Sequence, residues 1–287
     1  MILRFSLYLH FFQFSRVPLV KLGVLFFNVV LCSGVAWATE KQKPPAWEVG
    51  AALGGQVLRD YRGSKEEQVQ VYPIPFLIYR GDFLKADRNG VRGEFLANDR
   101  IELNISGETA LNGSSDDNKL RRDMPELESA FELGPSLNFN LTGKDFNHGW
   151  QLRIPLRAVA TIGNTGTRFI GYNFNPRFTY SHPRVFGRWK WKVSVGGLHG
   201  SQKYHDYYYS VEQKYVTGER PFYRAEAGYS GHYFKTSLTK RHADYIFGFA
   251  LRYDNLSAAT FRDSPLVETK DYFAFSFMLA WTGLKSN

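Results

Sequence analysis

Sulfur is nearly absent from this chain: one cysteine and three methionines in 287 residues. A single thiol excludes a disulfide framework and the cysteine-rich zinc sites. Past Thr39 no stretch approaches 18 consecutive apolar residues, so no transmembrane helix is encoded there. Apolar residues at helical spacing are scarce, which argues against a bundle or coiled coil. Charged residues make up an ordinary 22% and are spread evenly among apolar ones, which excludes long disordered tails. Aromatic side chains are abundant instead: 24 Phe, 17 Tyr and 6 Trp, or 16% of the chain. The formal charge is +9.

The first 38 residues read as an export signal. Arg4, Arg16 and Lys21 are the only charges before Glu40, and Leu22 to Cys32 is an apolar run. Ala36-Trp37-Ala38 then supplies a small-x-small cleavage site. An apolar run of about 11 residues is too short to span a bilayer, which takes about 20 helical residues, although an N-terminal membrane anchor is the competing reading. Leu31 before Cys32 argues against lipoprotein attachment. Cleavage after Ala38 removes three cations, so +9 falls to +6, and it leaves residues 39–287 without cysteine. That suits passage through an oxidising compartment.

The remainder reads in steps of two. From Tyr272 to Trp281, Phe273, Phe275, Phe277, Leu279 and Trp281 share one face, with Tyr272, Ala274, Ser276, Met278 and Ala280 on the other. Trp150, Leu152, Ile154, Leu156, Ala158, Ala160 and Ile162 alternate with Gln151, Arg153, Arg157 and Thr161. Leu127, Phe131, Leu133, Leu137, Phe139 and Leu141 oppose Glu128, Glu132, Asn138 and Asn140. Similar alternation runs over Ile101–Ser106, Trp189–Val195 and Tyr245–Tyr253, and more weakly over 47–57, 69–79, 83–96, 169–180, 207–216 and 222–238. Turn chemistry separates these runs at Asn89-Gly90, Asn112-Gly113, Asn147-His148-Gly149, Gly163-Asn164, His182-Pro183 and Ser230-Gly231.

Alternation fits a soluble sandwich, a lipocalin-like barrel or a membrane barrel. Three features favour the membrane. The apolar faces are long and end in aromatic residues (Trp47, Trp150, Trp189, Tyr253, Trp281), as an interfacial girdle requires. The opposite faces carry Glu128, Glu132, Arg153 and Arg157, which a wet lumen accepts and a dry core does not. The chain is also read as exported. In lipid an open sheet edge costs several kcal/mol per unpaired backbone group, so the strands must close into a ring. The expectation is an all-β, closed antiparallel transmembrane barrel of about 12 strands, in the range 10–14. An even number puts both termini on one side, taken as periplasmic. Asn112–Glu126, with Asp116, Asp117, Arg121 and Arg122, and Asp254–Asp271 are then outward connections. Trp281 is followed by six further residues, 282–287, read as a short extension.

Catalytic and metal chemistry is thin. His148, His182, His199, His205, His232 and His242 form no His-x-x-x-His or Glu-x-x-His pair. His205-Asp206 has the makings of a hydrolase dyad at a barrel rim, against the plainer reading of a loop pair among tyrosines. The run 228–232 misses the Gly-x-Ser-x-Gly spacing, and Ser237-Leu238-Thr239-Lys240 fits Ser-x-x-Lys with no Lys-Thr-Gly partner. No catalytic, metal or cofactor residue is assigned. Basic clusters at Arg121-Arg122, Arg184–Lys192 and Lys240-Arg241 suit lipopolysaccharide phosphates or a polyanionic partner, or simply solvated loops. Nucleic acid is not expected for an exported chain.

Specific residues resemble the MipA/OmpV family of outer-membrane proteins. These are Trp47-Glu48-Val49-Gly50 followed by Tyr61-Arg62-Gly63-Ser64, then Pro73-Ile74-Pro75-Phe76 with Tyr79-Arg80-Gly81, and at the end Asp254-Asn255-Leu256, Asp263–Val267 and a last strand reaching Trp281. The resemblance spans most of 47–281. It implies a Gram-negative outer-membrane barrel in contact with lipid and lipopolysaccharide. It also implies a non-enzymatic scaffold joining a lytic transglycosylase to a bifunctional peptidoglycan synthase in murein assembly. Alternative readings are a porin-like channel or a part in osmotic or antibiotic response, and a rim hydrolase acting through His205 and Asp206.

Overall fold

The computed structural model describes residues 44–87, 90–110, 118–163 and 166–286. The export signal with Cys32 and Ala36–Ala38, the turn residues Asn89, Asn112-Gly113 and Asn164, and Asp116 and Asp117 lie outside the described residues.

Aromatic and β-branched side chains at alternate positions build thirteen strands. They are β1 (Trp47–Arg59), β2 (Glu67–Arg80), β3 (Leu84–Asp87), β4 (Gly90–Ala97), β5 (Ile101–Ala110), β6 (Ser129–Asn140) and β7 (Gly149–Gly163). Then follow β8 (Gly166–Phe174), β9 (Arg177–Val185), β10 (Trp189–Gly200), β11 (Gly228–His242), β12 (Tyr245–Asn255) and β13 (Asp271–Lys285). Each pairs antiparallel with its neighbours, and β1 pairs with β13 from Glu48↔Lys285 to Val57↔Phe275, closing the ring. The barrel has twelve strand positions. The thirteenth strand arises at Asn175-Pro176, where one long run breaks. β8 covers Leu156–Gly163 of β7 and β9 covers Gly149–Arg153, so the two share one place in the wall. Pro176 has no N–H to continue the ladder.

The ring has a turn end and a loop end. Both described ends of the chain, near Pro44 and Ser286, meet at the turn end with the short connections 81–83, 98–100, 141–148, 186–188 and 243–244. The loop end carries 60–66, 118–128, 201–227 and 256–270. The described parts of the two connections expected to face outward, 118–126 and 254–271, therefore share one end, opposite the described termini.

The two faces follow the sequence pattern. Phe273 and Phe275 are 61% and 43% exposed on the outer surface. Leu103, Ile105, Leu133, Leu137, Leu156 and Phe249 are also exposed, while Glu102, Asn104, Asn138, Gln151, Arg157 and Thr161 point into the barrel and are buried. Apolar groups outside and amides and ions inside are the reverse of a soluble barrel, and match lipid outside and water within. Trp47 pairs with Tyr79 and Tyr245 with Trp281 at the turn end, where Trp150 also packs on Tyr180 with ring centres 5.1 Å apart. Tyr253 and Phe273, at 5.0 Å, mark the loop end. Among the described residues no helix is long and apolar enough to cross a membrane; the strands supply the spans.

Several local expectations are corrected. Residues 207–216 are not a strand. They belong to α1 (Gln202–Tyr209) and the connection after it, and Ser201 Oγ caps the helix by accepting from the Tyr204 N–H. The spacing of Tyr204 with Tyr208 and of His205 with Tyr209 is helical, and burial in a loop core overrides their strand preference. The weak runs 83–96 and 222–238 shorten to β3 with β4, and to a β11 that begins at Gly228. His182-Pro183 is not a turn. It falls inside β9 at a bulge opposite Trp189–Trp191, where proline is tolerated. The real turn is Phe186-Gly187-Arg188, with φ of 43°, 70° and 99°. Ser230-Gly231 likewise lies within β11. Leu127 is buried in the loop core rather than on the lipid face. Beyond Trp281, β13 runs on to Lys285, and Ser286 Oγ accepts from the Ala46 N–H at 2.7 Å.

Candidate functional site

The loops of the loop end are not loose. Tyr61, Leu127, Tyr208, Tyr209, Val211, Ala225, Leu256, Phe261 and Leu266 form one buried apolar cluster with the lumen-facing Ala130 and Val159. Four connections, distant in sequence, thus fold into a cap that packs into the upper barrel. Phe261 stacks on Tyr209 with ring centres 3.6 Å apart, Tyr61 Oη donates to the Leu266 carbonyl at 2.8 Å, and Tyr209 Oη donates to the Arg62 carbonyl at 3.0 Å. Arg62 reaches down to Asp254 at 3.1 Å, where Arg252 also donates at 2.8 Å, and so fastens the cap to β12. Burial holds the Tyr61 and Tyr209 phenols well above their usual range, so both remain hydrogen-bond donors.

His205 sits within this cap and does not pair with Asp206. Its Nε2 meets Ser230 Oγ at 2.6 Å, its Nδ1 meets the Glu226 carbonyl at 2.6 Å, and Asp206 instead accepts from Ser210 Oγ at 2.7 Å. The Ser230–His205 pair has the elements of a nucleophile and base, but a main-chain carbonyl stands where an orienting carboxylate is needed. Both residues are buried, with Phe261 against the imidazole at 4.8 Å. The bonds tie α1 to β11. Ser237 and Lys240 lie on opposite faces of β11, because an offset of three suits a helix and not a strand; the Lys240 ammonium rests over the Trp189 ring. No group of three His, Cys, Asp or Glu side chains suited to a metal occurs among the described residues.

The basic clusters divide. Arg121 is buried and donates to the carbonyls of Tyr208 and Pro125, and burial lowers its pKa, so it braces the cap. Arg184 through Lys192 and Lys240-Arg241 lie toward the turn end. Arg241 and Arg80 converge on Glu48, a carboxylate only 2% exposed: Arg80 Nη2 is 2.5 Å from Oε1, Arg241 Nη1 donates to Oε1 at 2.9 Å, and Arg241 Nη2 contacts Oε2 and Thr282 Oγ1. This triad spans β1, β2 and β11, with β13 joined through Thr282. No local pattern links its members, which lie up to 193 positions apart.

Between cap and triad lies a lumen cavity of about 550 Å³. Six cations line it (Arg153, Arg177, Lys190, Lys192, Lys235 and Arg252), against the two carboxylates Asp87 and Glu108. Of the charges expected in the lumen, Arg153, Arg157 and Glu132 are there, and Arg157 pairs with Glu108 at 2.7 Å and Glu132 at 3.6 Å. Glu128 is not in the wall of the lumen; it precedes β6 at the rim, and its N–H donates to Tyr207 Oη at 2.9 Å. The wall formed by β12, β13, β1 and β2 differs, presenting Ile246, Ala280, Ala52, Ile74, Phe76 and Met278 inward.

No curated protein matches the chain. The family model described as MltA-interacting protein MipA matches residues 50–283, which covers the strands from β1 to β13. With a lipid-facing exterior and a wet, charged lumen, the chain belongs to the MipA family of outer-membrane β-barrel proteins.

Proposed function

We propose that this barrel is a non-catalytic outer-membrane anchor that holds a lytic transglycosylase at its turn end, and through it a bifunctional peptidoglycan synthase. The family match carries the reading, since the family is described by its interaction with MltA. The turn end would face the periplasm, where murein lies, after removal of residues 1–38 near Ala38. Two features support the assignment. The cap fills the upper lumen with packed aromatic rings, which suits an anchor better than an open pore. Phe186 at the turn end is 85% exposed on a turn of three consecutive positive-φ residues, a fixed aromatic knob of the kind that anchors protein interfaces.

The test is co-elution of the folded barrel with the transglycosylase in mild detergent. Co-elution is expected, and Phe186→Asp should weaken it at least tenfold while the heat-modifiable gel mobility of the barrel stays unchanged. Failure of the wild type to retain the enzyme, together with steady conductance in a planar bilayer, would overturn the anchor in favour of a channel.

A further inference from the structure

Among the described residues the longest break in the hydrogen bonding around the ring lies between β2 and β3, a shorter one being the upper part of β8, which pairs with β10 only at Asn173 and Phe174. β3 has only four residues and pairs with β2 only at Tyr79↔Ala86 and Arg80↔Lys85. Above this, among the described residues, no strand pairs with the far edge of β2 from Glu67 to Ile78. The amide directions can be worked out from the register. The Arg80 N–H donates to the Ala46 carbonyl at 2.8 Å, and the β1–β2 register runs without a shift to Arg59↔Glu67. Even-numbered β2 residues therefore bond to β1, and odd-numbered ones aim their backbone groups across the gap. Two of those odd positions are Pro73 and Pro75, which have no N–H to leave unpaired and which block addition of another strand. Among the described residues, sequence and geometry agree that no strand covers this edge.

The chemistry on the two sides of the edge differs from the rest of the wall. β2 exposes Val69, Val71 and Leu77 outside, and its lower half is apolar inside as well, with Ile74, Phe76 and Ile78, while higher up Gln68 and Gln70 face inward. Phe76, Leu77 and Asp87, which border the floor of the gap, also line the lumen cavity. Across that cavity stand Arg153 and Lys235, neither within 4 Å of a carboxylate among the described residues. We infer that the gap between β2 and β3 is a lateral portal through which a single-chain anionic amphiphile enters from the bilayer. Its acyl chain lies along Ile74, Phe76 and Met278, and its oxyanion head meets Arg153 and Lys235. The volume of about 550 Å³ suits one chain with a small head rather than a multi-chain lipid.

The barrel in a non-ionic detergent is titrated with oleate, lysophosphatidic acid, lysophosphatidylcholine and inorganic phosphate, and retention is read by native mass spectrometry. One-to-one retention of the two anionic amphiphiles is expected, with neither the zwitterion nor free phosphate held. The double variant Arg153→Gln/Lys235→Gln should weaken retention at least tenfold while keeping heat-modifiable mobility. Equal retention of the zwitterion, or an unaffected double variant, overturns the head-group site, and equal retention of phosphate marks a water-soluble anion instead. The route is tested separately by Ile74→Cys in a chain carrying Cys32→Ala. An apolar maleimide delivered in the lipid should label it at least ten times faster than a sulfonated one, and equal or slower labelling overturns the portal.

Discussion

Replacing Glu48 by alanine isolates the effect of the ion triad beneath the cavity. The carboxylate is nearly inaccessible, while the side chains of Arg80 and Arg241 are each 32% exposed to lumen water. Removing it leaves two guanidinium groups facing each other across the seam where first and last strands meet. Breaking a buried ion pair on one side costs about 3–5 kcal/mol, and partial solvation of the arginines places this case near 3. That corresponds to more than a hundredfold in the unfolding equilibrium. Reversible urea unfolding in detergent micelles, followed by heat-modifiable mobility and tryptophan fluorescence, gives the number. Arg241→Ala added to Glu48→Ala should restore part of the loss, because the unpaired charge does most of the damage. A single variant within 1 kcal/mol of wild type, or a double variant worse than the sum of the singles, refutes the reasoning.

Two further outcomes follow from the faces and the cap. Phe275→Arg on the outer surface should cost about 2–4 kcal/mol in a bilayer, whereas Ser276→Arg, one residue on and facing the lumen, should cost little; equal effects in urea titration of the two would reverse the assignment of inside and outside. Burial pushes the His205 imidazole below its usual value. The unfolded state therefore takes up a proton first, so the stability His205 lends is complete above about pH 6.5 and is lost as pH falls through the lower folded value. Limited proteolysis within 201–227 should accelerate between about pH 7.5 and pH 5, and His205→Gln should flatten that dependence.

The barrel wall was legible because a strand's side-chain period of two is local: seven alternate residues from Trp150 to Ile162 reveal a lipid face without knowledge of any partner. The meeting of first and last strands was legible by physical necessity, since lipid punishes a fully open sheet, whereas the break beside β2 was not. The cap was not. Tyr61, Tyr209, Phe261 and Leu266 come from three loops with no shared period, and their contacts exist only in three dimensions. For the same reason Tyr207–Tyr209 passed for strand, because aromatic residues favour β structure until eight residues are bent into a capped helix. Pro73 and Pro75 entered the sequence reading only through the family resemblance; their place in the sheet appears once, among the described residues, the far side of β2 above Tyr79 is seen to have no paired strand.

The cap also orders the events of assembly. Its rings are drawn from segments as far apart as Tyr61 and Leu266, which the hydrogen bond between them joins across 205 positions. Contacts of that sequence separation form late, since chain entropy must be lost before they return anything. A nascent sheet whose outer strands have not yet met would leave these aromatic rings uncovered, and only when the cylinder shuts do they find one another.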